Sequence, residues 1–372
     1  MSAVLSPSLA DDATASVDSA ADSADGAACE ALMRGGSRSF FAASRLLPQR
    51  LRGPAAALYA FCRVADDLID EASAPPDAVA QLLDRVDRIW AGRPGPVPAD
   101  RALAEVVAAS GLPRTLIEAL IEGFAWDAEG RSYTSLPELE AYAARVAGSV
   151  GAAMTWLMGR QQPETLARAC ELGVAMQLTN IARDVGEDAR RGRLYLPRQW
   201  LVEAGLDPEA WLARPVFGPA LAQVIARLLA AADTLYQRAE AGVADLPPDC
   251  RLAIRAARLI YAEIGRELER GGLDAVGRRA VVSGPRKLLL IGQALAGRGG
   301  RSRLALRSPA PLPAIVFLLE ACAARALPQE RARPARRRSL AERMVWSLDL
   351  CERTTLRRYP QLGASGLPPH LG

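Results

Sequence analysis

From Met33 onward, apolar residues recur at intervals of three and four, the spacing of helices that turn one face toward a core. Turn chemistry interrupts this rhythm at residues 74–77 (APPD), 92–98 (GRPGPVP), 112–113, at Pro137 and at 247–248. The breaks are short, so successive helices are expected to pack antiparallel. Ala, Leu and Arg prevail over Val, Ile and the aromatics, and no alternation of strand with helix is visible, so the fold class expected is all-α. Residues 1–28 are mostly Ala, Ser and Asp and cannot offset the entropy of ordering, which predicts a disordered acidic tail. Residues 29–326 would form the helical domain. Residues 327–372 read as a basic linker followed by an amphipathic segment with apolar positions Leu340, Met344, Leu348 and Cys351.

Two of the helices carry acid rows. In residues 58–70 (LYAFCRVADDLID), Tyr59, Arg63, Asp66 and Asp70 fall on one narrow stripe, with Leu58, Phe61, Ala65, Leu68, Ile69 and Ala72 on the apolar arc beside it. In residues 173–188 the stripe is Gly173, Gln177, Asp184 and Asp188, bordered by Asn180 and Glu187, with Val174, Leu178, Ile181, Ala182 and Val185 on the apolar face. A solvated face with an Arg63–Asp70 network would explain one such row, since exposed pairs contribute only a few tenths of a kcal/mol. The repeat shifts the balance. Carboxylates at i and i+4 sit about 6 Å apart and repel, and a divalent cation resolves that repulsion. Mg²⁺ takes hard oxygen ligands, commonly one or two carboxylates together with phosphate oxygens and water. Neither row has the alternating loop of an EF-hand.

Charge and composition remove other classes. The formal charge of +4 comes from nearly balanced acids and bases, which argues for no nucleic-acid partner. No Lys or Arg precedes Arg34, whereas Arg331, Arg333, Arg336, Arg337 and Arg338 crowd one short run. The only histidine is His370, so zinc sites built on His, Ser-His-Asp triads and His bases are excluded. Six scattered cysteines without CxxC predict reduced thiols in a cytoplasmic protein. The most apolar runs, 288–291 and 315–319, fall far short of the roughly 20 residues of a membrane span. The basic run near the C-terminus, with the amphipathic segment after it, fits either a solvated tail or peripheral contact with the inner membrane face.

The residues also carry a resemblance. The stretch Leu172, Gly173, Gln177, Asn180, Ile181, Arg183, Asp184 and Asp188, followed by RLYLP at 193–197, resembles the signature of the squalene and phytoene synthase family. So do YAARVAGSVG at 142–151, SRSF at 37–40, FCRVADDLID at 61–70 and Tyr261 in RLIYAEI; Ser149 stands where an aliphatic residue or Thr is expected. The resemblance covers about residues 33–295. It implies an isoprenoid-synthase-like bundle around a central apolar cavity and a prenyltransferase that joins two prenyl diphosphates head to head through a cyclopropylcarbinyl diphosphate. By matched position, Asp66, Asp70, Asn180, Asp184 and Asp188 would bind Mg²⁺, with Mn²⁺ as a substitute and Asp67 and Glu187 as supporting acids. Tyr59, Arg63 and Arg183 would serve catalysis, and Ser37, Arg38, Ser39, Phe40, Tyr142, Gln177 and Tyr261 would bind substrate.

Within the family, LYLPRQWLVEAGLDP and GPRKLLL (284–290) resemble the bacterial members that make phytoene from geranylgeranyl diphosphate. The implied setting is carotenoid biosynthesis, with contacts to other enzymes of that pathway, and no NADPH is expected. The alternatives are a C15-using synthase of squalene, presqualene diphosphate or dehydrosqualene and, in another class, a non-catalytic helical scaffold. The small residues Ala143, Ala147, Gly148, Gly151, Ala152 and Ala153 fit either close helix packing or room for a prenyl chain.

Overall fold

Helix starts and stops follow local chemistry in this chain. In the computed structural model, which describes residues 24–36, 41, 43–70, 77–296 and 310–325, no strand occurs among the described residues. The helices are α1 (Ala24–Gly36), α2 (Gln49–Asp70), α3 (Ala78–Trp90), α4 (Pro98–Ser110), α5 (Arg114–Ala128), α6 (Leu136–Ala143) and α7 (Ser149–Leu157), then α8 (Pro163–Arg190), α9 (Arg198–Glu203), α10 (Pro208–Ala213), α11 (Pro219–Val243), α12 (Pro248–Arg270), α13 (Gly284–Leu295) and α14 (Val316–Arg325). A π-helical turn, Ala144–Gly148, joins α6 to α7. Proline occupies the first turn of α4, α6, α8 and α10 to α13, where its missing N–H costs nothing. Gly111 ends α4 in the left-handed region at φ 62°.

The fold begins earlier than residue 29. Cys29 and Met33 of α1 are buried, and Asp25 accepts a hydrogen bond of 2.7 Å from Arg101 Nε, so the residues from Ala24 belong to the bundle. The alanine-rich run hid this because it buries few large side chains.

At the centre lies α8, with 17 of its 28 residues buried, a proportion that only an interior helix reaches. It packs on α7, α11, α12 and the π turn. The contact with the π turn is close enough to require glycine. A Cβ at Gly173 would stand 2.2 Å from the carbonyl oxygen of Ala147, and one at Gly151 would stand 2.3 Å from that of Ala169. Packing therefore calls for glycine at 151, although Ala147 and Gly151 also border an internal cavity, while Ala143, Ala152 and Ala153 are wholly buried in the core.

Buried Glu171 of α8 ties down the last described segment. It pairs with Arg168 at 2.9 Å, accepts from Arg238 Nε at 3.1 Å and accepts from the Leu312 N–H at 3.1 Å. Among the described residues no helix is long and apolar enough to cross a membrane. The five described cysteines are unbridged. The 331–338 run and the amphipathic segment after it lie outside the described residues.

Candidate active site

Five elements, α2, the π turn with α7, α8, α11 and α12, enclose a cavity of about 290 Å³. Its lining follows α8 from Thr165 to Asn180, about 22 Å at the helical rise. At one end it is closed by Leu47, Met154, Leu246 and Ile254, where the start of α2 meets the end of α7 and the start of α12. Tyr59, Cys62, Gln177, Asn180 and Tyr261 form the other end. Thr179, next to Asn180 in the chain, shares a 3.0 Å hydrogen bond with Tyr236, and both are buried outside the lining.

Both acid rows continue from that polar end. Asp66 lies one turn beyond Cys62 on α2, and Asp184 lies one turn beyond Asn180 on α8, so the two rows mark the same mouth. The apolar arcs inferred from spacing face the core: Leu58, Phe61, Ala65 and Ile69 of α2, and Val174, Leu178, Ile181, Ala182 and Val185 of α8, are all buried.

Guanidinium groups meet the carboxylates at this mouth. Arg63 Nε donates to Asp67 Oδ2 at 3.0 Å, with Asp66 Oδ2 at 3.5 Å from Arg63 Nη1. Arg183 Nε donates to Asp184 Oδ1 at 2.8 Å, and Arg279 Nε reaches the same oxygen at 2.8 Å while pairing with Glu187 at 3.6 Å. Burial works to raise the Asp184 carboxyl, but the hydrogen bonds and charges of Arg183 and Arg279 outweigh it and hold Asp184 below the usual carboxylate range. Asp188, one turn on, goes the other way. Burial, then the charges of Asp184 and Glu187, push it up to about 7 against Arg191 and Arg193. A cation would relieve that crowding.

Arg279 had no periodic signal in the sequence, because it arrives from the connection between α12 and α13. What brings it there is Gly186, between the two aspartates. Its N–H donates to the Ala275 carbonyl at 2.9 Å, and a Cβ on it would stand 2.6 Å from Val276 Cα. A glycine in an acidic helix was the available sign that another backbone lies against it.

The expected site residues separate into four groups. Tyr59, Gln177, Asn180 and Tyr261 line the cavity, and Arg63, Asp66, Arg183, Asp184 and Asp188 stand on the turns just past its polar end. Ser37, Arg38, Ser39 and Phe40 lie outside the described residues, as does the side chain of Asp70, the last residue of α2. Gly36, immediately before that segment, lies against the Tyr59 hydroxyl, which a Cβ there would approach to 2.3 Å. Tyr142 is placed elsewhere. It is buried, donates to Asp127 Oδ2 at 2.7 Å, and stacks on Tyr195, whose hydroxyl donates to Asp127 Oδ1 at 2.7 Å. It is not part of the cavity lining, so its hydrogen bonds brace α5, α6 and the 193–197 turn.

Among the described residues, no three carboxylate, thiol or imidazole groups converge closely enough to hold a metal on their own. The donor set nevertheless suits Mg²⁺. That ion needs only one or two carboxylates when phosphate oxygens and water complete its shell, and the mouth offers hard oxygens with an excess of charge at Asp188.

The family model described as "Squalene/phytoene synthase" matches residues 33–286. The chain is 53% identical over 316 residues to the phytoene synthase of Rhodobacter capsulatus, covering 83% of this chain and 93% of that protein. It is 44% identical to the 15-cis-phytoene synthase of Paracoccus sp., covering 69% and 86%. Among solved structures, a dehydrosqualene synthase crystallised with a ligand superposes at a TM-score of 0.69 with 30% identity, covering 76% of this chain and 98% of that one. The squalene synthase HpnC of Alicyclobacillus acidocaldarius gives 0.63 with 27% identity, covering 70% and 98%.

Proposed function

Since this chain belongs to the squalene/phytoene synthase family, we propose that it makes phytoene from two molecules of geranylgeranyl diphosphate, with Mg²⁺ held at the mouth of its cavity. The observation that carries the reading is the joining of two acid rows to one apolar cavity at its polar end. Asp66 and Asp70 on α2, and Asn180, Asp184 and Asp188 on α8, would hold the metal. Bound there, Mg²⁺ would neutralise the charge that gathers on a departing diphosphate. Arg63, Arg183 and Arg279 supply fixed positive charge beside it, since carboxylates alone would repel the substrate.

The first prenyl chain loses its diphosphate and becomes an allyl cation. The double bond of the second attacks it, and loss of a proton closes a cyclopropylcarbinyl diphosphate. That intermediate loses the second diphosphate, rearranges and gives up another proton to leave the triene centre of phytoene. Two diphosphates and two protons leave in all, so no reductant is consumed and NADPH is not required. Throughout, Tyr59, Gln177 and Tyr261 hold the reacting carbons at the polar end while Met176, Leu172, Val150 and Met154 keep water from the cations.

The test is product analysis. Purified protein with Mg²⁺ should convert geranylgeranyl diphosphate to a C40 hydrocarbon with a central conjugated triene, without NADPH. A C30 product alone, from farnesyl diphosphate, would replace the C20 reading with a C15 one, and consumption of neither would favour the scaffold.

A further inference from the structure

The segment that carries Arg279 to Asp184 continues into α13, whose outward face is the reverse of an ordinary surface helix. Leu290 and Ala294 face inward, and the stripe left to solvent is Leu288, Leu289, Gly292 and Leu295, with Gln293 its one polar side chain. Leu288 is 71% exposed and Leu295 is 67% exposed, and Val281 just before the helix is 71% exposed. These, with Leu289, are four of the nine large apolar side chains exposed among the described residues, gathered into 15 positions. Charge singles out the same stretch. Between residues 275 and 319 the sequence holds eight Arg or Lys and no Asp or Glu. Arg279 and Arg286 are matched by Asp184 and Glu263, which leaves Arg278 and Lys287 as surplus among the described residues. The position is also particular. Through Val282 and Leu290, α13 packs on Ile260 and Ile264 of α12, beside Tyr261 at the cavity's polar end.

We propose that the exposed face of α13 docks on an anionic lipid bilayer and holds the cavity mouth at its surface. An apolar stripe inside an acid-free basic stretch is the composition that lies in a bilayer interface, leucines among the acyl chains and cations at the headgroups. The purpose assigned to the contact, delivery of a prenyl substrate and removal of a hydrocarbon product, rests on the function proposed above; the contact itself does not.

Flotation of the full chain with vesicles tests it. Phosphatidylcholine vesicles containing phosphatidylglycerol should carry the protein, and pure phosphatidylcholine should carry far less. The double variant Leu288→Gln/Leu295→Gln should bind the anionic vesicles at least about tenfold more weakly. Val202→Gln, at another exposed apolar position, should bind as the parent does. In detergent micelles all three proteins should turn over prenyl diphosphate equally. Unchanged vesicle binding by the double variant overturns the docking. So does loss of binding only when Arg336, Arg337 and Arg338 are changed to Gln, or a parent dimer in light scattering that the double variant dissociates. Absence of turnover in detergent by every protein would instead sink the enzymatic reading, and the flotation result would still decide the docking.

Discussion

Gly173→Ala and Gly148→Ala separate a glycine that helix contact requires from one whose place accepts a methyl. A methyl at 173 would lie 2.2 Å from the Ala147 oxygen, 2.6 Å from its carbonyl carbon and 2.9 Å from the Gly148 nitrogen. All three are backbone atoms of the π turn, so no rotamer change relieves the clash. Restoring a contact of about 3.5 Å requires α8 and the turn to part by more than about 1 Å. Such overpacking costs about 1–3 kcal/mol, against which replacing a helical glycine returns about 0.5–1 kcal/mol. The net expectation for Gly173→Ala is a loss of about 1–2 kcal/mol. At Gly148 the nearest atoms to a new methyl are the Cys170 oxygen at 3.5 Å and Ala144 Cβ at 3.6 Å, and the backbone is helical at φ −60°, ψ −43°. That variant should match or exceed the parent. Urea denaturation followed by circular dichroism measures both. Because Ala147 and Gly173 both line the cavity, the 173 variant should also lose turnover, by about a hundredfold if the reacting carbons shift by about 1 Å. A Gly173→Ala protein as stable and active as the parent would refute the account of this contact.

Asp66→Asn and Asp184→Asn should each lower turnover by about a hundredfold or more with the helical circular dichroism signal unchanged, as steady-state assays would report. Arg279→Gln removes a cation that stands beside Asp184, where the diphosphate would lie; a charged hydrogen bond to that group is worth about 1.5–3 kcal/mol, so KM for the diphosphate substrate should rise about ten- to hundredfold. Asp188 has its pKa pushed up to about 7, so it is about half protonated at pH 7 and must lose that proton to bind a cation. Mg²⁺ affinity should therefore rise from pH 6 to pH 8, with proton release largest at the acid end, measured by calorimetry in buffers of different ionisation enthalpy. Glu171→Ala takes away the carboxylate shared by Arg168, Arg238 and the Leu312 N–H and should cost about 3–5 kcal/mol in thermal unfolding.

What the sequence disclosed and what it withheld follow from the range of the interactions involved. Periodicity placed Phe61, Ala65, Ile181 and Val185 on buried faces, because which side of a helix is apolar is a local property. The two acid rows were legible for the same reason. Arg279 was not, since it meets Asp184 across 95 positions and depends on Gly186 for clearance. Tyr142 lies inside a family motif, yet it braces Asp127 rather than lining the cavity; its partner comes from α5, and nothing in the spacing reveals that. The small residues of 143–153 could not be sorted by composition alone, because packing and room call for the same amino acids, and only the distance from Gly151 to the Ala169 carbonyl separates them.

The central claim, that two acid rows hold a metal-bound diphosphate at the mouth of a cavity that receives the prenyl tail, is tested most directly by a crystal structure with Mn²⁺ and an unreactive thio-diphosphate analogue of geranylgeranyl diphosphate. Anomalous peaks are expected beside Asp66 and Asp70 and beside Asn180, Asp184 and Asp188, with the tail running between Tyr59 and Tyr261 toward Met154. Manganese bound away from both rows, or a tail lying outside the cavity, would contradict it.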